Sequence, residues 1–285
     1  ANALREFLTH STEENKFNHH ELHEVFDLCI SCKACASECP SSVDVSVLKA
    51  EFLHQYYQVN KVPLRTKLFG NNSKYNRYAS WTPQLSNALL KTGFAKKILG
   101  IAPQRKLPKL APTTLRKWYR KNANRLHKNS NPHGEVVVFC DAFTNHYDVQ
   151  TGIDCLELLS KIGYKPLIVN HQESGRSAIS KGLLNIAKEK ARANVATFSK
   201  IISKNTPLVG IEPSAILTFR DEYLRLANDS EKATQISKHT YTIEEFLKQA
   251  IEKKHLSPAL CTNDHKTIKI HGHCHQKSLS SMEPT

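Results

Sequence analysis

The 285-residue chain contains no run approaching the ~18 apolar residues that a membrane-spanning helix needs, which excludes such a helix within it. Its opening, Ala1-Asn2-Ala3-Leu4-Arg5-Glu6, lacks the apolar core of a secretory signal. Low-complexity tracts and repeats of the solenoid kind are also missing. With 40% apolar and 23% charged residues, wholesale disorder is excluded. No initiator Met is present, and the chain stops shortly after a dense His/Cys segment. The expectation is a piece of a longer protein, cut at both ends.

The least evenly distributed absence is negative charge. Between Lys61 and Asn131 there is no Asp or Glu, against 17 Lys and Arg. The rest of the chain holds 23 basic and 26 acidic residues, so this segment carries the whole of the +14 excess. Trp81, Trp118, Tyr75, Tyr78 and Tyr119 lie among its cations. Three readings stay open: a solvated connector, a surface for an acidic protein partner, or peripheral contact with an anionic membrane, at ~1 kcal/mol per basic residue near the headgroups. Basic residues among aromatics also suit nucleic acid, yet no nucleic-acid-binding motif accompanies them.

Eight cysteines are present: Cys29, Cys32, Cys35, Cys39, Cys140, Cys155, Cys261 and Cys274. A secreted disulfide scaffold is shorter and spreads its cysteines out. Here four fall within eleven residues, which points to a metal centre in a reducing compartment. The expected location is cytoplasmic, with the basic segment allowing a peripheral position at the inner membrane.

Three regions follow from the pattern. Residues 1–60 read as short helices, with Ser11 and Glu14 placed for a capping box. A helix over Glu21–Leu28 would present Leu22, Val25, Phe26 and Cys29 on one face, and a longer one capped by Asp44 would run to about Gln58. Residues 61–133 form a basic connector, broken into short helices by Pro and Gly. From 134 to 285 strand and helix alternate. Strands are expected at Glu135–Cys140, Lys165–Val169, Pro207–Ile211 and Thr267–Ile270. Helices are expected at Val149–Ile162, Ile179–Ser203, Ser214–Leu226 and Thr242–Lys254. The fold class is therefore α+β overall: a helical ferredoxin-type segment followed by an α/β domain with a mainly parallel sheet.

Cys29-x2-Cys32-x2-Cys35-x3-Cys39-Pro40 carries the clearest chemistry. Thiolates at this spacing wrap a short loop around a [4Fe–4S] cube, and the fourth, followed by Pro, ligates the other cluster of a two-cluster domain. Zinc is the alternative, but its cysteines usually come as two separated pairs. Residues 1–60 then read as the second half of a two-cluster domain. A second constellation, His271, His273, Cys274 and His275, follows the expected fourth strand, with Cys140 at the end of the first strand as a possible fifth member. Imidazole and thiolate suit zinc or iron. A metal or redox site is one reading, an acceptor-facing pocket with Lys277 another, and a polar loop with local hydrogen bonds a third. Arg176 and Glu212 lie at strand-to-helix junctions, as contacts to an anion or electron acceptor or as pairs within the fold. Cys155 reads as core and Cys261 as an unassigned loop residue. His19, His20 and His23 precede the cysteines, either tuning a cluster or solvated.

Leu28-Cys-Ile-Ser-Cys-Lys-Ala-Cys-Ala-Ser-Glu-Cys-Pro40, with Leu48-Lys-Ala-Glu51, Phe139-Cys-Asp-Ala-Phe-Thr-Asn145, Ile211-Glu-Pro-Ser214 and His271-Gly-His-Cys-His-Gln-Lys277, resembles the ferredoxin portion of FAD-linked oxidases fused to an iron–sulfur reductase domain, as in bacterial D-lactate and D-2-hydroxyglutarate dehydrogenases. The resemblance implies a [4Fe–4S] cluster, an upstream FAD domain or a flavoprotein subunit, and electrons passing from a 2-hydroxy acid through flavin to a quinone or another acceptor. The alternative it carries is a separate, non-catalytic electron-transfer subunit, similar to the iron–sulfur subunit of anaerobic glycerol-3-phosphate dehydrogenase. The chain departs from related reductase domains in lacking cysteine at Glu173-Ser174-Gly175-Arg176 and in having Ala215 after Ser214, which tells against a second cluster there.

Overall fold

In the computed structural model all residues are described except 1, 129–131, 258–259, 261 and 263–266. Cys261, unassigned in the sequence, therefore lies outside the described residues.

Four helices make up the N-terminal region: α1 (Asn2–His10), α2 (His20–Asp27), α3 (Ala34–Glu38) and α4 (Val45–Val59). Asp44 caps α4 as expected, its side chain accepting from the amides of Ser46 and Val47. Leu4, Leu22, Phe26, Phe52 and Leu53 close a small core. Val25 is not part of it and stays exposed, because the α2 side chains turned to α4 are Leu22 and Phe26, with His23 against Tyr56. No helix starts at Ser11. Its hydroxyl instead accepts from the Glu13 amide and meets the His19 ring at 2.7 Å, which uses up the cap in a turn.

The basic segment folds into α5 (Leu64–Gly70), α6 (Asn72–Ala79), α7 (Pro83–Leu90), α8 (Gly93–Ile98) and α9 (Leu115–Leu126). Pro83 starts α7, and Thr92 and Thr114 cap α8 and α9. The last of these is no solvated connector. Leu115 and Leu126 are buried in the same core as the sheet. Gly152 lets α9 approach, since a Cβ there would stand 2.5 Å from Leu115.

The remainder comprises β1 (Glu135–Phe139), α10 (Ala142–His146), α11 (Val149–Lys161), β2 (Lys165–Leu167), α12 (Arg176–Ser180), α13 (Leu184–Phe198), β3 (Leu208–Gly210), α14 (Pro213–Ile216), α15 (Tyr223–Leu226), α16 (Ser230–Lys238), β4 (Thr240–Thr242), α17 (Ile243–Glu252) and α18 (Cys274–Leu279). The strands form one parallel sheet in the order β2-β1-β3-β4. Alternate residues of β1 face opposite layers. Val136 and Val138 pack with Leu156, Leu159 and Phe246 on one side, and Val137 and Phe139 pack with Val195, Phe198 and Phe219 on the other. The sheet is thus covered on both faces, as buried parallel strands require.

Three expectations need correction. The fourth strand is Thr240–Thr242, paired to β3, and Thr267–Ile270 carries no strand. Ile268 and Ile270 are exposed, so the apolar alternation there finds no core. The helix expected over Ile179–Ser203 is two, broken at Gly182, whose φ of +70° ends α12. The helix expected over Ser214–Leu226 is likewise divided, by a 3₁₀ turn at Leu217–Phe219 and a turn before Tyr223. The capping box on α17 is present as read, joining Thr242 and Glu245.

Candidate functional site

The cysteine loop between α2 and α4 is wound by local backbone chemistry. Ser31, Lys33 and Ser42 all have positive φ, near +57°, +64° and +50°. Such left-handed residues reverse the chain and turn successive amides inward. The Val45 amide donates to Cys35 Sγ at 3.2 Å. The amides of Val43, Ser41 and Ser42 hold the Cys39 thiol below its ordinary value. Lys49 Nζ donates to the Cys29 carbonyl. All four cysteines are partly exposed and unpaired. Leu28 and Ile30, on either side of Cys29, are 84% and 82% exposed.

Between Cys32 and Cys35, Lys33 turns the other way, into the protein. It is fully buried, with Nζ 2.8 Å from Asp44, 2.6 Å from Asp221 and 3.1 Å from Glu222. Burial lowers its pKa, but the charge of Glu222 and the bonds to Asp221 and Asp44 outweigh that, so it is held above the usual lysine value. Burial likewise opposes ionisation of Asp44, and the bonds from Lys33 and Ser46 still keep it below the carboxylate range. Arg176 Nη1 also donates to Glu222, which places this arginine in an internal pair, with its Nε unpartnered among the described residues.

The second constellation meets the first. Helix α18 packs on α3, and Ser37 Oγ reaches Ser278 Oγ at 3.5 Å. His273 Nδ1 accepts from the His275 amide, capping α18, and its Nε2 lies 3.5 Å from Glu212. Glu212 in turn caps α14. The His275 ring is buried, with Nε2 unpartnered among the described residues. Burial first, then the charges of Arg176, His273 and Lys33, brings its pKa down to about 3. Cys274, His271 and Lys277 are exposed. Gly272 is needed for close packing, since a Cβ there would meet Lys277 and Met282 at 2.7 Å.

Cys140 has other neighbours. Its amide donates to His171 Nε2 at 3.1 Å and its thiol to Asn145 at 3.4 Å. Burial pushes the thiol up to about 12 and His171 down to about 3. Among the described residues no three His, Cys, Asp or Glu side chains are placed to hold one metal ion. Ligands of a cube each serve a different iron, so four cysteines on one loop need not converge on a point. Their chemistry fits such a cluster: soft thiols, one of them with a lowered pKa, with amides directed at two sulfurs. Sequence reasoning missed Lys33 and His171. A lysine inside the cysteine motif was the one visible signal, and it did not reveal its distant carboxylates.

An α/β protein with a doubly covered parallel sheet and a thiol loop clamped against it is the class these features define. Among curated proteins the chain is similar to D-2-hydroxyglutarate dehydrogenases. It is 27% identical to that of Haemophilus influenzae over 282 residues, 93% of this chain and 27% of the relative. It is 27% identical to that of Escherichia coli K12 over 270 residues, 90% and 25%. With that of Pantoea ananatis the figure is 26% over 247 residues, 82% and 24%. The chain spans about a quarter of the length of the relatives it matches. No family model and no solved structure matches it.

Proposed function

We propose that this chain is the iron–sulfur electron-transfer part of a dehydrogenase of the D-2-hydroxy-acid type, D-2-hydroxyglutarate being the substrate the relatives' name suggests. The observation that carries the reading is the Cys29–Cys39 loop, with amides aimed at Cys35 and Cys39. Cys29, Cys32 and Cys35 would hold a [4Fe–4S] cube, with Cys39 serving a neighbouring one. When bound, such a cluster supplies one-electron transfer over a potential range that hydrogen bonds to sulfur adjust. The chain's own contribution is to stabilise negative charge on sulfur through the amides of Val45, Val43, Ser41 and Ser42. Lys33 fixes the loop on the sheet region from behind. FAD belongs, in this reading, to a flavin domain or flavoprotein subunit that docks where Leu28 and Ile30 stand exposed beside the cysteines. A quinone or another acceptor takes the electrons onward.

The test is anaerobic reconstitution, with iron and acid-labile sulfide analysis and EPR before and after dithionite. A cubane signal that Cys32→Ser abolishes supports the proposal. Zinc without sulfide would overturn it and leave a structural metal loop.

A further inference from the structure

We propose that the cavity beyond the carboxyl ends of β1 and β2 is a binding site for a small, multiply charged oxyanion, a dicarboxylate or a phosphate ester. This does not rest on the electron-transfer reading, because the cavity contains no residue of the Cys29–Cys39 loop.

The volume is about 930 Å³, within the range that holds small ligands. One wall is the ends of β1 and β2, with Cys140 and His171; the facing walls are α6, with Arg77, and α9, with Arg116, Lys117 and Arg120. Open parallel sheets usually bind ligands just outside their strand carboxyl ends.

The charge balance decides the sign of the ligand. Two carboxylates also line the cavity, Asp141 and Glu173, and both are engaged within the fold. Asp141 accepts from the amides of Phe143 and Thr144 and from the Thr144 hydroxyl, while Glu173 is paired with Lys190 at 2.5 Å. Among the described residues none of the four cations has an ion-pair partner. Like charges gathered in one concavity repel, and a bound anion relieves that cost.

Arg116 is held ready for such a ligand. Its Nη1 donates to the Val169 carbonyl at 2.9 Å and its Nη2 approaches the His171 carbonyl at 3.4 Å, so the guanidinium is fixed by backbone rather than by a carboxylate. Its own amide is fixed too, by Asn145 Oδ1 at 3.2 Å. Guanidinium forks match carboxylate and phosphate oxygens in pairs, and three converge here. Asn170 and Gln172 add neutral polar groups to the lining. A concave, half-enclosed site with several forks suits a compact anion better than an extended acidic chain.

Isothermal titration of the chain with inorganic phosphate, and separately with D-2-hydroxyglutarate, at matched ionic strength, tests the assignment. Saturable binding of either, weakened tenfold or more by Arg77→Gln combined with Arg120→Gln, is expected. Both side chains are exposed, so circular dichroism should show the fold kept; if the pair does not fold, Arg120→Gln alone serves. Binding of phosphate but not the diacid assigns a phosphate ester, and the reverse a dicarboxylate. No saturable binding, or binding that the variants leave unchanged, overturns the proposal. So does binding of polyglutamate with neither small anion, which would make the face a docking surface for an acidic protein.

Discussion

Lys33 is the residue on which the cysteine loop and the sheet region depend together. Its ammonium group is shut off from solvent and holds Asp44, at the head of α4, and Asp221 and Glu222, beside α15. Removing one partner from a buried ionic cluster leaves the others uncompensated. Lys33→Met should therefore cost about 3 kcal/mol in urea unfolding, the scale of a broken buried pair. The pH dependence has two sides. Asp44 is depressed, so its contribution is present above the unfolded carboxylate value and lost as pH falls through the folded one; Lys33 is raised, so its contribution is present below the unfolded lysine value and lost as pH rises through the folded one. Unfolding curves between those limits should show the full difference between wild type and Lys33→Met, and the difference should shrink in acid. A variant as stable as wild type at neutral pH would show that the cluster stabilises nothing. At this scale the cysteines were legible because their spacing is local. The lysine's partners were not, because the chain brings them from far downstream.

The elements divide in the same way. Several helices were legible from their caps and periodicity: α4 behind Asp44, α11 ending at Gly163 with φ near +89°, and α17 behind its capping box. The error over Ile179–Ser203 came from a glycine whose reason is tertiary. At Gly182 a Cβ would stand 2.3 Å from Leu53 Cβ and 3.0 Å from the His54 amide, while φ is +70°. The break between α12 and α13 exists so that this corner can lie against α4. Ala50 of α4 is buried with Ala178, Ile179, Leu184 and Ala187 in the resulting contact. Gly182→Ala should thus lower stability by about 1–3 kcal/mol, combining backbone strain with overpacking, whereas an exposed helical Gly93→Ala, with nothing near its Cβ, should be neutral or slightly stabilising. Thermal melts of the two variants separate close packing from a generic glycine effect. The misplaced fourth strand has a similar cause. Thr240–Thr242 is too short and polar to read as a strand, and only its seat beside Leu208–Gly210 makes it one.

Over the whole molecule, the basic segment has two faces with different fates. Helix α9 turns Leu115 and Leu126 into the sheet's core and leaves Arg116, Lys117 and Arg120 at the oxyanion cavity. Helices α7 and α8 bury almost nothing. Leu85, Leu89, Phe94 and Ile98 are all more than half exposed, with Lys91, Lys96 and Lys97 among them. No helix of the described residues is long and apolar enough to cross a membrane. Apolar side chains interleaved with cations, and no acidic residue over 61–131, instead suit the headgroup region of an anionic bilayer, where each cation contributes ~1 kcal/mol and each apolar side chain inserts shallowly. Peripheral contact through α7 and α8 is therefore proposed, and it makes a specific demand on vesicle sedimentation. The chain should pellet with vesicles containing phosphatidylserine and not with purely zwitterionic ones, and added salt should release it. Leu85→Ser with Phe94→Ser should weaken pelleting about tenfold while leaving the secondary structure intact, since neither side chain is in a core and neither lines the cavity. Sedimentation lost in a variant of the Arg77 and Arg120 pair but unchanged by the Leu85 and Phe94 substitutions would place the attraction at the cavity, as charge alone, and remove the membrane role from these helices.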